Sequence, residues 1–379
     1  MSATNVPEYM VKAGERKAHP FLMHDNITMT PELLRDCAAG NAYVQTEAMA
    51  RALHRRGVKR FYFTGCGTSL FIGRQLALAM EQVAGIPAQA ENPFEMVHYR
   101  PLGLDAEAAL IVISHSGVTK ADRDAIELAR QKGAFVGNFT DNPEAPIIAM
   151  SDASIVGPGG RDAAIPKTRS YTTALYRGLM LVYLLAQQDG QTARLDELTS
   201  LPDKAEGVIR ATESTVKQLA SLWAKVDKYF GVGAGPNAWT GTEAALKMME
   251  TTGLVGQGFE LEEFTHGPEL SLDEHSGVII FQADEGTLGR AQTAAAASAA
   301  AGAQVAVVTT IPGASWVEGA AVIPVPRVSV MLSPVLMMLP AQMMVYYTAL
   351  RLGRRPDVAG TDNPKIRAAI QVLHPPGSH

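Results

Sequence analysis

The feature that most constrains this chain is that it contains one unit twice. The aromatic-rich run Lys59-Arg-Phe-Tyr-Phe-Thr leads into Gly65-Cys-Gly-Thr-Ser69 and opens a helical pattern through Leu76, Ala77, Met80 and Val83 to Gly85. Adding 168 to each number gives Asp227-Lys-Tyr-Phe-Gly-Val-Gly-Ala-Gly-Pro-Asn237, with Gly233-Ala-Gly235 over Gly65-Cys-Gly67 and Gly253 over Gly85. The same shift lays Val278-Ile-Ile-Phe281 over Leu110-Ile-Val-Ile113. One residue more lays Gly302-Ala-Gln-Val-Ala-Val-Val-Thr309 over Gly133-Ala-Phe-Val-Gly-Asn-Phe-Thr140. Paired landmarks in one order and at nearly one spacing point to a tandem duplication of a strand-helix alternation. Its strands are unbroken apolar runs that need cover on both faces. The expected fold is therefore α/β: two parallel sheets, each with helices on both faces in three layers.

Composition narrows the function classes. With 379 residues, 47% hydrophobic and 19% charged, the chain is an ordinary globular sequence long enough for two domains. A net charge of −5 with scattered Lys and Arg offers no basic stripe for a phosphate backbone, so nucleic acid is not an expected partner. The start Met1-Ser-Ala-Thr-Asn-Val-Pro-Glu-Tyr9 lacks the basic and apolar regions of a secretory signal, and a cytoplasmic protein is expected. Val328 to Tyr347 has only Ser329, Ser333 and Gln342 as plainly polar residues, but it carries Pro334 and Pro340 and stands alone. A helix crossing a core or a subunit contact is the better reading than a membrane span. Cys37 and Cys66 form neither a disulfide framework nor a metal spacing; both are read as free thiols, and no metal site is expected.

Two segments suit an anion. Ligands of parallel α/β sheets bind where strands turn into helices, and both Gly65-Cys-Gly-Thr-Ser69 and Ser114-His-Ser-Gly-Val-Thr119 fall there. Glycine lets a backbone approach a ligand, helix N-termini present unpaired N–H groups, and hydroxyls add donors without charge. Helix capping is the commoner use of such hydroxyls. The clustering of Ser114, Ser116 and Thr119 with Thr68 and Ser69 favours a phosphate pocket. The second copy reads Gln282-Ala-Asp-Glu-Gly286 at the corresponding place, and its two carboxylates would repel a phosphate. What the second copy gains is Gly241-Thr-Glu-Ala-Ala-Leu-Lys-Met-Met-Glu250, in which Glu243, Lys247 and Glu250 share one helical face, expected near the ligand edge of the sheet. The bland alternative is an exposed i,i+4 pair worth a few tenths of a kcal/mol. His266, in Thr265-His-Gly-Pro268, follows sixteen residues later, with a backbone-satisfied turn histidine as its own bland alternative.

Taken together, Gly-Cys-Gly-Thr-Ser at 65–69, Ser-x-Ser-Gly-x-Thr at 114–119, Glu-x-x-x-Lys-x-x-Glu at 243–250 and His-Gly-Pro at 266–268 resemble the sugar isomerase (SIS) family. The likeness is to its tandem-domain members, which include the isomerase module of glucosamine-6-phosphate synthase, amino-sugar-phosphate deaminases and fructosamine-6-phosphate deglycases. It spans roughly residues 30 to 364. The resemblance implies two flavodoxin-like αβα domains. It also implies that Cys66, Gly67, Thr68, Ser69, Ser114, His115, Ser116 and Thr119 hold the 6-phosphate of a sugar, with His115 where the family usually has Gln. Glu250 matches the carboxylate that moves a proton between C1 and C2 of the open-chain sugar. His266 matches the histidine that assists ring opening and, in dimers of the family, reaches into the partner's site. Glu243 and Lys247 match residues that orient the substrate and tune the base.

Proton transfer between adjacent carbons needs a positioned base and an acid for the ring oxygen, and no cofactor is called for. Three departures restrict the assignment. No amidotransferase domain precedes the first repeat, so glutamine is not an expected substrate. The family's tail lysine is Ala369 here, which leaves Lys365 or Arg367 to help otherwise. Lys167 in Lys167-Thr-Arg-Ser-Tyr-Thr172 replaces a small sugar-contacting residue. The expected organisation is an irregular N-terminal arm over 1–30, domains over 31–200 and 201–353, and a tail over 354–379 that closes over the site and ends unstructured at 375–379. The expected protein is a homodimer with shared active sites, acting on a phosphorylated amino sugar by isomerisation with deamination or deglycation. A plain aldose-ketose phosphate isomerase and a non-catalytic sugar-phosphate-binding regulator are the rival readings.

Overall fold

The computed structural model describes residues 16–99, 103–188, 190 and 194–374, which sort into two compact units. One holds residues 30–161 and 170–203; the other holds 16–29, 162–169 and 204–373.

The first unit contains β1 (Arg60–Thr64), β2 (Ala88–Glu91), β3 (Ala108–Ile113), β4 (Phe135–Thr140) and β5 (Ala153–Val156). They form one parallel sheet in the order β2-β1-β3-β4-β5. Every residue of β3 and β4 is buried, as continuous apolar runs covered on both faces require. Leu110, Val112 and Val136 pack with Ile126 and Ile147 from the covering helices. The second unit repeats the plan with β6 (Lys228–Gly233), β7 (Val255–Glu260), β8 (Ser276–Gln282), β9 (Gln304–Thr309) and β10 (Ala321–Pro324), parallel in the order β7-β6-β8-β9-β10.

The duplication extends to backbone angles. Gly67 (φ 55, ψ −124) and Gly235 (φ 56, ψ −130) share a conformation closed to other residues, each at the entry to the helix after the first strand of its sheet. These helices, Thr68–Ala79 and Pro236–Thr252, run back to left-handed glycines at 85 and 253.

Helix Pro236–Thr252 lies unusually close to its sheet. A Cβ on Gly231 would stand 2.0 Å from the Gly241 carbonyl oxygen, so strand and helix backbones meet where neither has a side chain. Its outer side is covered by helix Ser333–Arg351, every residue of which from Ser333 to Ala349 is buried. This apolar segment is therefore core, and it offers no face to a subunit contact. Among the described residues no helix is long and apolar enough to cross a membrane.

One expectation about the ends changes. The segment expected as an irregular arm contains a helix, Leu22–Thr28, which buries Met23, Asn26 and Ile27. Its first N–H groups had no helical partner to find, and the buried Asp357 carboxylate accepts from Leu22 N (2.9 Å) and Met23 N (2.8 Å). The tail forms a short turn at Pro356–Val358 and an exposed helix, Pro364–Leu373, that carries Ala369. Residues 375–379 lie outside the described residues, as do 1–15.

The close approach gives a paired prediction. Gly231→Ala is expected to cost about 1–3 kcal/mol or more by overpacking, whereas Gly207→Ala, exposed in mid-helix with open space around it, is expected to gain up to about 1 kcal/mol. Urea unfolding midpoints of the two variants check the opposite signs.

Candidate active site

In the first sheet the chain leaves β1 toward β2 on one side and β3 toward β4 on the other, so the turns after β1 and β3 diverge and leave a crevice between them. Thr64 pairs with Val112, which sets Gly65-Cys-Gly-Thr-Ser69 beside Ser114-His-Ser-Gly-Val-Thr119. Cys66 and Gly67 are exposed, while Thr68, Ser69, His115, Ser116 and Thr119 are half-buried around the crevice. Helices Thr68–Ala79 and Lys120–Gln131 both start here, and neither has a side-chain cap. Capping therefore does not explain these hydroxyls. Thr119 occupies the cap position without bonding to the helix start, and its hydroxyl, like that of Ser114, favours the ionised form of the buried Asp122 carboxylate. Burial pushes Asp122 up to about 6, against the pull of those two hydroxyls. Surrounding protein, and secondarily Asp122, push the Cys66 thiol up to about 11, so it adds no charge to the crevice near neutrality.

The equivalent turn of the second sheet is unlike it. Asp284 accepts from Gly286 N, closing its own turn, and Gln282 donates to the Asp284 carbonyl. Two carboxylates stand where the first sheet has hydroxyls.

Glu243 and Lys247 are fully buried, so the exposed-pair reading fails. Lys247 Nζ lies 3.4 Å from Glu243 Oε1 and 2.5 Å from Glu250 Oε2. Burial alone would lower the Lys247 pKa, but the two carboxylates outweigh it and the ammonium is held above its ordinary value. Glu250 is the member that reaches solvent, its side chain 29% exposed. Its position corrects an expectation. A helix joining two parallel strands runs antiparallel to them, so Glu250, in the last turn, stands near the start of β7 and away from the edge where β6 and β8 end. His266 is exposed on the turn after helix Leu261–Phe264. Its Nδ1 donates to the Glu262 carbonyl (2.8 Å), which leaves Nε2 as the ring nitrogen able to exchange a proton. Among the described residues no group of three or more His, Cys, Asp or Glu is gathered as a metal site.

The SIS domain model matches residues 56–184 and again 222–352. The chain belongs to the SIS family. The SIS chain is 30% identical over 312 residues to glutamine-fructose-6-phosphate aminotransferase (isomerizing) of Gloeobacter violaceus, covering 78% of this chain and 50% of that protein. It thus spans about half the length of this curated relative. Among solved structures it is similar to the C-terminal domain of glucosamine-fructose-6-phosphate aminotransferase from Francisella tularensis (TM-score 0.80, 16% identity, 90% of this chain and 99% of that one). It is also similar to glucosamine-6-phosphate deaminase from Thermotoga maritima (TM-score 0.73, 20% identity, 89% and 96%). Both likenesses concern the fold.

Three polar residues of the SIS chain that sequence reading missed lie behind the crevice. Asp122 is one. The others form a relay: the buried Arg177 donates to Asp141 Oδ1 (2.6 Å), and Asp141 Oδ2 accepts from His115 Nδ1 (2.8 Å). Arg177 also donates to the carbonyls of Thr173, Thr140 and Ile155, each at 3.1 Å, so its charge is fully engaged. His115 is therefore fixed by β4 and the helix Arg169–Gln188, not left as a loop residue. The third odd residue of the sequence, Lys167, is half-buried and donates to the Ala164 carbonyl (2.9 Å).

The buried SIS lysine gives the prediction here. Lys247→Met removes the ammonium facing Glu243, and breaking a buried pair from one side is expected to cost about 3–5 kcal/mol in urea unfolding at pH 7. The deficit is expected to shrink as the pH falls, because a protonated Glu243 has no charge to compensate.

Proposed function

We propose that this SIS protein is a phosphosugar isomerase acting on a 6-phosphorylated amino sugar, with loss of the amine by deamination or deglycation. The observation that carries the reading is Glu250: a carboxylate with one end open to solvent and the other held at 2.5 Å by a lysine with no exposure at all. Such a group has one orientation, which general-base catalysis requires and simple ligand binding does not. The name of the Gloeobacter violaceus relative, which includes isomerisation, and that of the Thermotoga maritima deaminase, support the substrate class.

In this reading the hydroxyl-lined crevice of the first unit takes the phosphate, using the N–H groups of two uncapped helix starts. Binding energy from that remote group holds the reacting carbons in place. Glu250 removes the proton from C2 of the ring-opened substrate and returns it to C1 while one amine proton passes through solvent to the C1 oxygen, converting the amine at C2 to an imine and the C1 aldehyde to a hydroxymethyl group. Water adds to the imine and ammonia leaves, so one water is consumed for each ammonia released. His266, through Nε2, is the proton carrier for ring opening, and its exposure suits a site completed by a second copy of the chain. Lys247 orients Glu250 and Glu243 balances Lys247.

The test is ammonia release from glucosamine 6-phosphate and amine release from a 6-phosphorylated fructosamine. Glu250→Gln is expected to lower kcat about 10²–10⁴-fold with phosphosugar binding retained. Turnover of a neutral sugar phosphate with no amine released would identify a plain aldose-ketose isomerase instead. Tight binding with no turnover of any of these would identify a regulator.

A further inference from the structure

His115 is held at both its backbone and its ring by the loop that leaves β4. Asp141 N and Thr140 Oγ1 donate to the His115 carbonyl (3.1 and 3.3 Å), and the ring Nδ1 lies 2.8 Å from Asp141 Oδ2. Behind Asp141, the guanidinium of Arg177 lies 2.6 Å from Oδ1, and its other nitrogens donate to backbone carbonyls. Side-chain exposure rises outward along this chain, from 1% at Arg177 through 4% at Asp141 to 15% at His115. The ring therefore stands between a buried ion pair and solvent. Room for the pair is left by Gly157, just after β5, where a Cβ would come within 1.9 Å of Asp141 Oδ1 and 2.7 Å of Arg177 Cζ.

This arrangement decides where the ring carries its hydrogens. A guanidinium does not give up its charge in a protein, so at 2.6 Å it keeps Asp141 a carboxylate, which can only accept. The hydrogen of the His115–Asp141 bond therefore belongs to Nδ1, and the neutral ring has only a lone pair on Nε2. With Nδ1 committed, any bond from this ring to an anion comes from Nε2, and a ring that donates from both nitrogens is the imidazolium. We infer that the crevice binds its anion with His115 doubly protonated, and that Asp141 and Arg177 are the positioning residues that impose this requirement. The added proton comes from solvent to Nε2, and no bond between heavy atoms changes. Because Arg177 already balances the Asp141 charge, the imidazolium meets the anion as a net positive charge.

Other ionisable groups surround the site. Burial pushes the thiols of Cys66 and Cys37 up to about 11 and about 12, so both are uncharged near neutrality. Lys120 is paired with Asp124, Arg74 stands 3.9 Å from Glu91, and Glu144 is exposed on the loop after β4. Arg123 and Glu127 share helix Lys120–Gln131, and Glu95 and His98 stand on the helix Pro93–His98 packed against it. Asp122, pushed up to about 6 by burial, also gains negative charge as the pH rises through that value. A variant at His115 separates the two.

The inference rests on reading the crevice as the phosphate site, and the test separates the two. Sulfate is the probe, because it takes up no proton between pH 5 and 9 on its own. Titration calorimetry of the full chain in buffers of different ionisation heat is expected to show proton uptake on sulfate binding at pH 7.5. Affinity is expected to fall toward about tenfold per pH unit as the pH rises further. His115→Gln, whose neutral amide donates at any pH, is expected to bind with no uptake and a flat profile above pH 7. Asp141→Asn lets the neutral ring carry its hydrogen on Nε2, and a shallower profile is expected. Nitrogen NMR of the wild type reads the ring directly and stands even where Asp141→Asn fails to fold. The histidine signal that vanishes in His115→Gln is expected to show hydrogen on Nδ1 at pH 9 and on both nitrogens in the sulfate complex at pH 7. Sulfate binding that weakens in Ser116→Ala but shows no proton uptake in the wild type overturns the inference and leaves the phosphate site standing. A neutral His115 with its hydrogen on Nε2, or a folded Asp141→Asn with the wild-type profile, overturns it equally. A pH dependence that persists in His115→Gln belongs to another group, Asp122 first, and also overturns it. Binding that ignores Ser116→Ala, or absent binding of both sulfate and inorganic phosphate, overturns the phosphate site and the inference together.

Discussion

Every strand in both sheets runs parallel to its neighbours, so each connection must carry the chain back across the full length of the sheet. This one constraint decides where function can sit. Strand-to-helix turns collect at one edge and helix-to-strand turns at the other. The hydroxyl loops after β1 and β3 fall at the first edge, at the point where the strand order reverses. Glu250, seven residues after Glu243 and two before the end of its helix, is carried toward the second. Within their own units, the crevice and Glu250 therefore occupy opposite ends of equivalent elements.

The duplicated scaffold also shows how little must change for the copies to diverge. Gly67 and Gly235 keep nearly the same backbone angles, and the strand orders match. Yet the turn after β3 presents neutral hydroxyls while the turn after β8 spends Asp284 on its own backbone. The proposed anion site uses the first turn, and the carboxylates of the second would oppose an anion there. The second copy instead packs Gly231 on Gly241, bringing its helix backbone against the sheet. Glu243 and Lys247 on that helix are then enclosed, which turns a surface ion pair into a buried one.

The fold was legible because it rests on a repeated period: apolar strands, a glycine at each helix entry and exit, and a common offset, all local signals. The crevice residues were legible because hydroxyls and glycines at a strand end are unusual in number. Asp122 and Arg177 were not. Asp122 is one of several charged residues in Lys120–Gln131 and only its burial sets it apart, while Arg177 is distinguished by partners 36 and 37 positions away. The arm misled for a related reason. Its helix is short, and its stability comes from Asp357, more than 330 residues later. Glu250 was placed at the wrong edge because spacing along a helix gives the face and says nothing of the direction in which the helix runs.

The two buried charges behind the proposed chemistry are compensated in opposite ways, and the difference bears on what each can do. A buried ion is tolerated when a partner of opposite sign lies against it. Lys247 has two, at 2.5 and 3.4 Å, and its ammonium is stabilised beyond its ordinary range. Its charge therefore persists across the whole neutral range, and it acts as a fixed strut for Glu250. Asp122 has no cation paired with it among the described residues, and the same burial that Lys247 overcomes drives its carboxyl toward the neutral form. A group so balanced changes charge when its surroundings do. The helix that carries the proposed base is thus built around a charge that stays, and the crevice proposed for phosphate has behind it a carboxyl that burial holds nearer its neutral form.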